Sequence, residues 1–205
     1  EEGKDYFMYC SKKGTLDAKE EVLLDVNKMA EGHNYFSATG FDVSTDNKLL
    51  AYGIDMLSRR QYTIYIKNLE TGEVYKDAVS NTEGDPVWAN DNQTFFYTSK
   101  NPVTLLSEKI KRHKLGADAA TDKIVYEEKD QTNYISVGKT KSDKFIIISS
   151  GGTLSSESRF IDANRPDDAF RVFQSRMKEV LYGVDHADGK FFIRTNLNAK
   201  NFKVV

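Results

Sequence analysis

The sequence predicts an all-β chain, a partial β-propeller of about three and a half four-stranded antiparallel blades, and three observations carry that prediction. A polar turn feeding an apolar strand comes round four times, at Ser44–Tyr52, Ala89–Tyr97, Lys141–Ile148 and Ala187–Ile193. Its turn residues Asn47, Asn92, Asp143 and Gly189 lie 45, 51 and 46 positions apart, a spacing that falls at about the 40–50 residues of a propeller blade. The 12 Phe and 11 Tyr suit pleated, half-buried strands. With three prolines and no Ser/Gly-rich stretch there is no linker, so the units form one array.

The units are expected near 32–78, 79–130, 131–176 and, incomplete, 177–205, after an opening segment 1–31. In that segment Glu21–Asp25 has a strand pattern, while Val22, Val26 and Met29 at i, i+4 and i+7 have a helical one. The favoured reading is a strand, then a short helical turn through Asn27 to Glu31. In the first unit Tyr62, Ile64 and Ile66 alternate with Thr63, Tyr65 and Lys67, the period of a strand. Gly72 makes the turn and Val74-Tyr75 begins the return strand.

The second unit has Ile110, Arg112 and Leu115, a polar bulge over 116–122, then Ile124-Val125-Tyr126. The third has a strand over 158–162, a turn over 164–168 and a strand over 170–173. Phe95-Phe96-Tyr97 and Phe145–Ile148 are apolar on both faces, as strands buried between two neighbouring blades should be. The fourth unit ends at Phe202-Lys203-Val204-Val205, in the place of its first hairpin strand.

Composition excludes several functions. A net charge of −2 with mixed signs leaves no basic block for nucleic acid. No apolar run approaches the roughly 20 residues of a membrane-spanning helix, and the start, Glu1-Glu2-Gly3-Lys4-Asp5, has no signal-peptide pattern. Cys10 is alone, so no intrachain disulfide forms; a cytoplasmic location is expected, with the periplasm as the alternative.

No residue is assigned a catalytic, cofactor-binding or metal role, and no cofactor is expected. Cys10 is read as a packing residue. Ser149-Ser150-Gly151-Gly152 lacks the leading glycine of a Gly-x-Ser-x-Gly elbow and is expected to be a loop. His33, His113 and His186 fall in three different units, with no local partner for a zinc site. Asp185 beside His186 can tune an imidazole, but 185–189 reads more simply as an inter-strand turn. Asp42, Asp46, Asp91 and Asp143 read as turn caps. Asn92-Gln93-Thr94 matches a glycosylation acceptor by chance composition. Arg59, Arg60 and Arg194 are expected in surface ion pairs, with a place at the mouth of the central channel as the alternative.

The ordered series Asp46–Gly53, Ser58–Thr63, Val87-Trp88-Ala89, Phe95–Thr98, Arg112–Gly116, Val125–Glu128, Ser155–Phe160, Val184-Asp185-His186, Arg194-Thr195-Asn196 and Ala199–Phe202 resembles the propeller domain of the prolyl oligopeptidase family, in particular its oligopeptidase B (protease II) branch. Leu106–Lys109 and Met177–Val180 depart from the branch's usual pattern.

The resemblance implies a parent serine peptidase with an α/β-hydrolase domain carrying Ser, Asp and His, and a seven-bladed propeller that admits only short peptides to it. It also implies cleavage after Lys or Arg, the basic side chain pairing with carboxylates of the catalytic domain. Neither triad nor carboxylates match residues here, so the chain is expected to be inactive alone. Its partners would be the catalytic domain, the remaining blades and short peptide substrates. The alternative is a stand-alone propeller that binds other molecules. Open blade faces at both ends of a partial ring imply self-association.

Overall fold

The computed structural model describes residues 3–205, so Glu1 and Glu2 lie outside the described residues. The chain opens with a hairpin of β1 (Met8–Lys12) and β2 (Glu20–Asp25) and one turn of helix, α1 (Val26–Met29). Asp25 caps that turn, its carboxylate accepting from the Lys28 amide at 3.3 Å. The strand and helical turn expected here are present. The partner strand β1 was not foreseen, because Met8–Lys12 lacks strict alternation, although Gly14, at φ 85°, marks the turn that follows it.

Four antiparallel meanders follow. The first comprises β3 (Ser37–Val43), β4 (Leu49–Asp55), β5 (Tyr62–Asn68) and β6 (Val74–Thr82). The second comprises β7 (Val87–Trp88), β8 (Thr94–Lys100), β9 (Ser107–Lys114) and β10 (Lys123–Glu127). One pair, Thr82 opposite Ser99, joins these two into a continuous ladder. The third is β11 (Tyr134–Lys139), β12 (Phe145–Gly151), β13 (Ser156–Asp162) and β14 (Arg171–Gln174). The fourth is three-stranded: β15 (Tyr182–Ala187), β16 (Lys190–Thr195) and β17 (Lys203–Val204).

The four recurring turn residues share one backbone state. Asn47, Asn92, Asp143 and Gly189 have φ of 60°, 54°, 56° and 75°, the left-handed region that Asn, Asp and Gly reach at least cost. Asp188 also has positive φ, so Asp188-Gly189 is a two-residue hairpin turn, tighter than the other three.

The core lies between sheets rather than within any one. From β4, Leu49 and Ala51 join Ile64, Ile66 and Val79 against Trp88, Phe95 and Tyr97 of the second meander. The opposite face of β8 sends Phe96, with Ile110 and Val87, against Ile135, Ile146, Ile148 and Ile161 of the third. Phe145 and Phe160 then stack on Phe191 of the fourth, with centroids 5.1 and 6.0 Å away. β4, β8 and most of β12 are buried on both faces because each face serves a different neighbour, the nearest-neighbour logic of stacked repeats.

One expectation about the open ends is corrected. The outward face of the first meander is not bare: Leu24, Val26 and Phe36 cover Leu50, Tyr52 and Ile54, and Lys67 Nζ donates to the Leu23 carbonyl at 2.7 Å. The fourth meander does leave Phe192 and Val204 exposed.

Candidate functional site

Antiparallel strands sort the connections into two ends. The connections 44–48, 89–93, 140–144 and 188–189 lie at the turn end. The connections 56–61, 101–106, 152–155 and 196–202 lie at the loop end, together with the links between meanders.

At the turn end the polar residues hold one sheet to the next. The Asp42 carboxylate accepts from the Trp88 amide at 2.7 Å, and Trp88 Nε1 donates to the Asp42 carbonyl at 3.1 Å. Burial raises the Asp42 pKa, and this amide contact opposes the shift. Asn92 Oδ1 accepts from Thr45 Oγ1 at 2.7 Å and from the Asp46 amide at 3.2 Å. Asn90 Nδ2 donates to the Asp143 carbonyl, and the Lys141 amide to Asp185 Oδ1 at 2.9 Å. Asp46 and Asp91 cap their own turns. The aspartates are thus turn and inter-sheet fasteners. Among the described residues no group of three or more His, Cys, Asp or Glu is placed to hold a metal ion. Asn92 is engaged on both its turn and its neighbour, and Thr94 Oγ1 donates to Asp91 at 2.7 Å.

The histidines are not brought together. His33 is exposed and lies against Phe36. His186 belongs to β15, correcting the turn reading, with only 188–189 turning; its Nδ1 lies 2.7 Å from Ser142 Oγ, and its ring packs on Phe145 and Phe191. His113 is buried, with Nδ1 2.8 Å from Asp122 Oδ1, while Asp122 Oδ2 accepts from Tyr97 at 2.8 Å. These three residues include no serine or cysteine.

Ser149 and Ser150 are a second correction: both lie within β12, not in a loop. A loop composition becomes strand here because Ser150 is satisfied by remote groups, donating to Glu128 and accepting from Arg176 Nη2 at 2.7 Å. The Cys10 thiol is held above its ordinary value by desolvation and by Glu20, the opposite of an activated nucleophile.

At the loop end, Arg176 is a hub. Its guanidinium donates to Asn133 Oδ1 and Ser155 O at 3.1 Å each as well as to Ser150, and it lies 3.8 Å from Glu128. Arg176→Ala is expected to destabilise the chain by about 2 kcal/mol, since buried Ser150 and the half-buried acceptors around it lose a charged donor. Arg176→Lys should recover less than half, because an ammonium cannot replace the fork. Chemical denaturation checks both; a loss under about 0.5 kcal/mol for alanine would remove the hub from consideration.

Beside it a cleft of about 200 Å³ is lined by Arg60, Glu83, Lys100, Leu106, Asp130 and Tyr134. Lys100, buried, pairs with Glu83 at 3.0 Å. Arg59 and Arg60 make no ion pair among the described residues, and their amides donate to Asp55. Arg194 stacks 4.0 Å over the Phe202 ring instead of forming the expected ion pair. No helix among the described residues is long and apolar enough to cross a membrane.

Comparison with known proteins agrees with this architecture. The chain is 47% identical over 189 residues to dipeptidyl aminopeptidase BI of Pseudoxanthomonas mexicana, covering 92% of this chain and 26% of that protein. It is 35% identical over 216 residues to Protease 2 of Moraxella lacunata, covering 100% of this chain and 31% of that protein. The chain therefore spans less than a third of the length of these relatives. Among solved structures it is similar to oligopeptidase B from Leishmania major, with TM-score 0.89 and 28% identity over 99% of this chain and 29% of that one. The family profile described as prolyl oligopeptidase, N-terminal beta-propeller domain, matches residues 1–205. The chain belongs to that family of propeller domains.

Proposed function

We propose that this chain is the gating part of a serine oligopeptidase of the oligopeptidase B kind, in which the propeller limits access to short peptides and a separate α/β-hydrolase domain cleaves them after Lys or Arg. The observation that carries the reading is a whole-chain match at 35% identity to Protease 2 that spans only 31% of that protein. The chemistry is assigned outside this chain for two reasons. The one serine beside a histidine, Ser142 at His186, has no carboxylate on that imidazole among the described residues, Asp185 accepting from backbone amides instead. The Cys10 thiol is held up rather than activated. Selection by size follows from geometry: a rigid ring admits a flexible peptide and turns away a folded domain. The chain alone is inactive in this reading, and the lone Cys10 supports a cytoplasmic setting.

A second reading rests on the 47% match to dipeptidyl aminopeptidase BI. In it the parent enzyme removes dipeptides from a free amino terminus instead of cutting internally.

Digestion by the full-length protein separates the two, using peptides with one internal Lys or Arg, amino-blocked or free, and mass spectrometry of the products. Cleavage after the basic residue in blocked peptides is the expected result. Release of dipeptides from free peptides alone would transfer the assignment to the second reading. No cleavage of either would leave a propeller that only binds.

A further inference from the structure

We propose that the free edge of β11 is a binding slot for an extended peptide, which adds to the third sheet as a further strand. The slot deepens the oligopeptidase reading and rests on it for the source of the peptide, a short substrate held away from the bond that is cut.

The opening strand of each meander, β3, β7, β11 or β15, pairs with one neighbour only and so has a free edge. Blades set round a channel turn that edge inward. An unpaired edge is a template for another strand, and proteins usually blunt it. Three of these four edges are blunted. β3 is broken by the bulge at Gly40 and Phe41. β7 is two residues long, and its Trp88 amide is taken by Asp42. On β15 the Tyr182 amide donates to Ser156 Oγ at 2.7 Å, and that hydroxyl donates to the Tyr182 carbonyl at 2.9 Å. The His186 carbonyl accepts from the Ser142 amide at 3.0 Å.

β11 has no such cover. Its register against β12 is unbroken over Tyr134–Lys139. The Thr140 amide donates to the Phe145 carbonyl at 2.9 Å, so antiparallel alternation makes Gly138–Ile147 and Ser136–Ser149 the hydrogen-bonded pairs. The amides and carbonyls of Ile135, Val137 and Lys139 therefore point away from the sheet, and none has a partner among the described residues.

A cleft of about 270 Å³ runs beside them, lined by residues 136–140 in succession, by Ile147 and Ser149, and by Val184 and Asp185 of β15. Residues 136–140 span roughly 13 Å, enough for a bound segment of about four residues. The side chains along the cleft are small. Ser136 and Ser149 are exposed, and a Cβ on Gly138 would meet nothing within 4 Å. The slot thus offers main-chain hydrogen bonds on one side and room for alternate side chains beside them, the two requirements of strand addition.

The test is hydrogen exchange of the full-length protein at single-residue resolution. The probe is an amino-blocked peptide of about eight residues, free of Lys and Arg so that it is not cut, and long enough to cover the edge. With millimolar peptide the amides of Ile135, Val137 and Lys139 should exchange at least about tenfold more slowly, while those of Ser136 and Gly138, already bonded to β12, should not change. The same peptide N-methylated throughout has no donors and should give no slowing. Gly138→Leu or Ser136→Leu, each filling the cleft, should weaken peptide binding by at least about tenfold, with a melting temperature like the parent's showing that the variant folds. Unchanged exchange at the three amides overturns the proposal, as does equal slowing by the N-methylated peptide. Amides already protected in the free protein mean that another stretch of the polypeptide or a second copy fills the edge, and overturn it too. Cleavage after Lys or Arg with no protection of β11 sinks the slot and spares the oligopeptidase reading. Alternating protection without cleavage keeps the slot and removes that reading.

Discussion

Gly40→Ala is expected to be the most damaging single-methyl change in this chain, costing about 4 kcal/mol or abolishing the cooperative transition. Gly40 sits in β3 where the register shifts, so that Gly40 and Phe41 oppose one residue of β4, a bulge with its glycine in the left-handed region at φ 63°. A Cβ there would stand 1.6 Å from the Gly84 carbonyl oxygen and 2.7 Å from its carbon. Both obstacles are backbone, so no side chain can swing aside. The left-handed penalty of about 1–2 kcal/mol adds to overpacking of about 1–3 kcal/mol. Gly72→Ala is the matched control, with φ 77° but open space around the new methyl, and should lose only the backbone part. Urea denaturation of the two variants decides; similar losses would mean the first meander can move away from Gly84.

The second large effect is a pH dependence centred on Asp85. Burial pushes its carboxyl up to about 6, against the pull of the Thr98 hydroxyl and amide. The protonated form is therefore favoured by folding. The stabilisation is complete below the unfolded value near 3.8 and is lost as pH rises through the folded value of about 6. Over pH 4 to 7 the loss is about 2 kcal/mol. Asp85→Asn stays neutral throughout, so its stability relative to the parent chain should climb by about that amount over the same interval. Any hydrogen bond lost in the amide is a constant offset and leaves the slope untouched. A difference that stays level from pH 4 to 7 would show that water reaches Asp85.

Much of the fold was legible because its constraints are local. A left-handed turn position narrows the residue choice to Asn, Asp or Gly, so Asn47, Asn92, Asp143 and Gly189 announced themselves. Alternation in Tyr62–Asn68 and double-sided apolarity in Thr94–Lys100 each report the surroundings of a strand directly. What stayed hidden depends on remote groups. Ser149-Ser150-Gly151 looks like a loop until Glu128 and Arg176 arrive to satisfy Ser150. Asp185 and His186 look like a turn until Lys141 and Ser142 engage them.

The seam between the first two meanders has a mechanical consequence. Among the described residues Thr82 and Ser99 supply the one ladder pair that crosses from one meander to the next. The later boundaries are held by side-chain packing, turn fasteners and isolated backbone hydrogen bonds such as the Ser142 amide to the His186 carbonyl at 3.0 Å. Tension applied along the chain from its far end would therefore strip the fourth and third meanders one after another. The short fourth would release about 30 residues, roughly 100 Å of extended chain, and the third about 45, roughly 150 Å, before the force reached the fused first pair. That pair would be the last to tear.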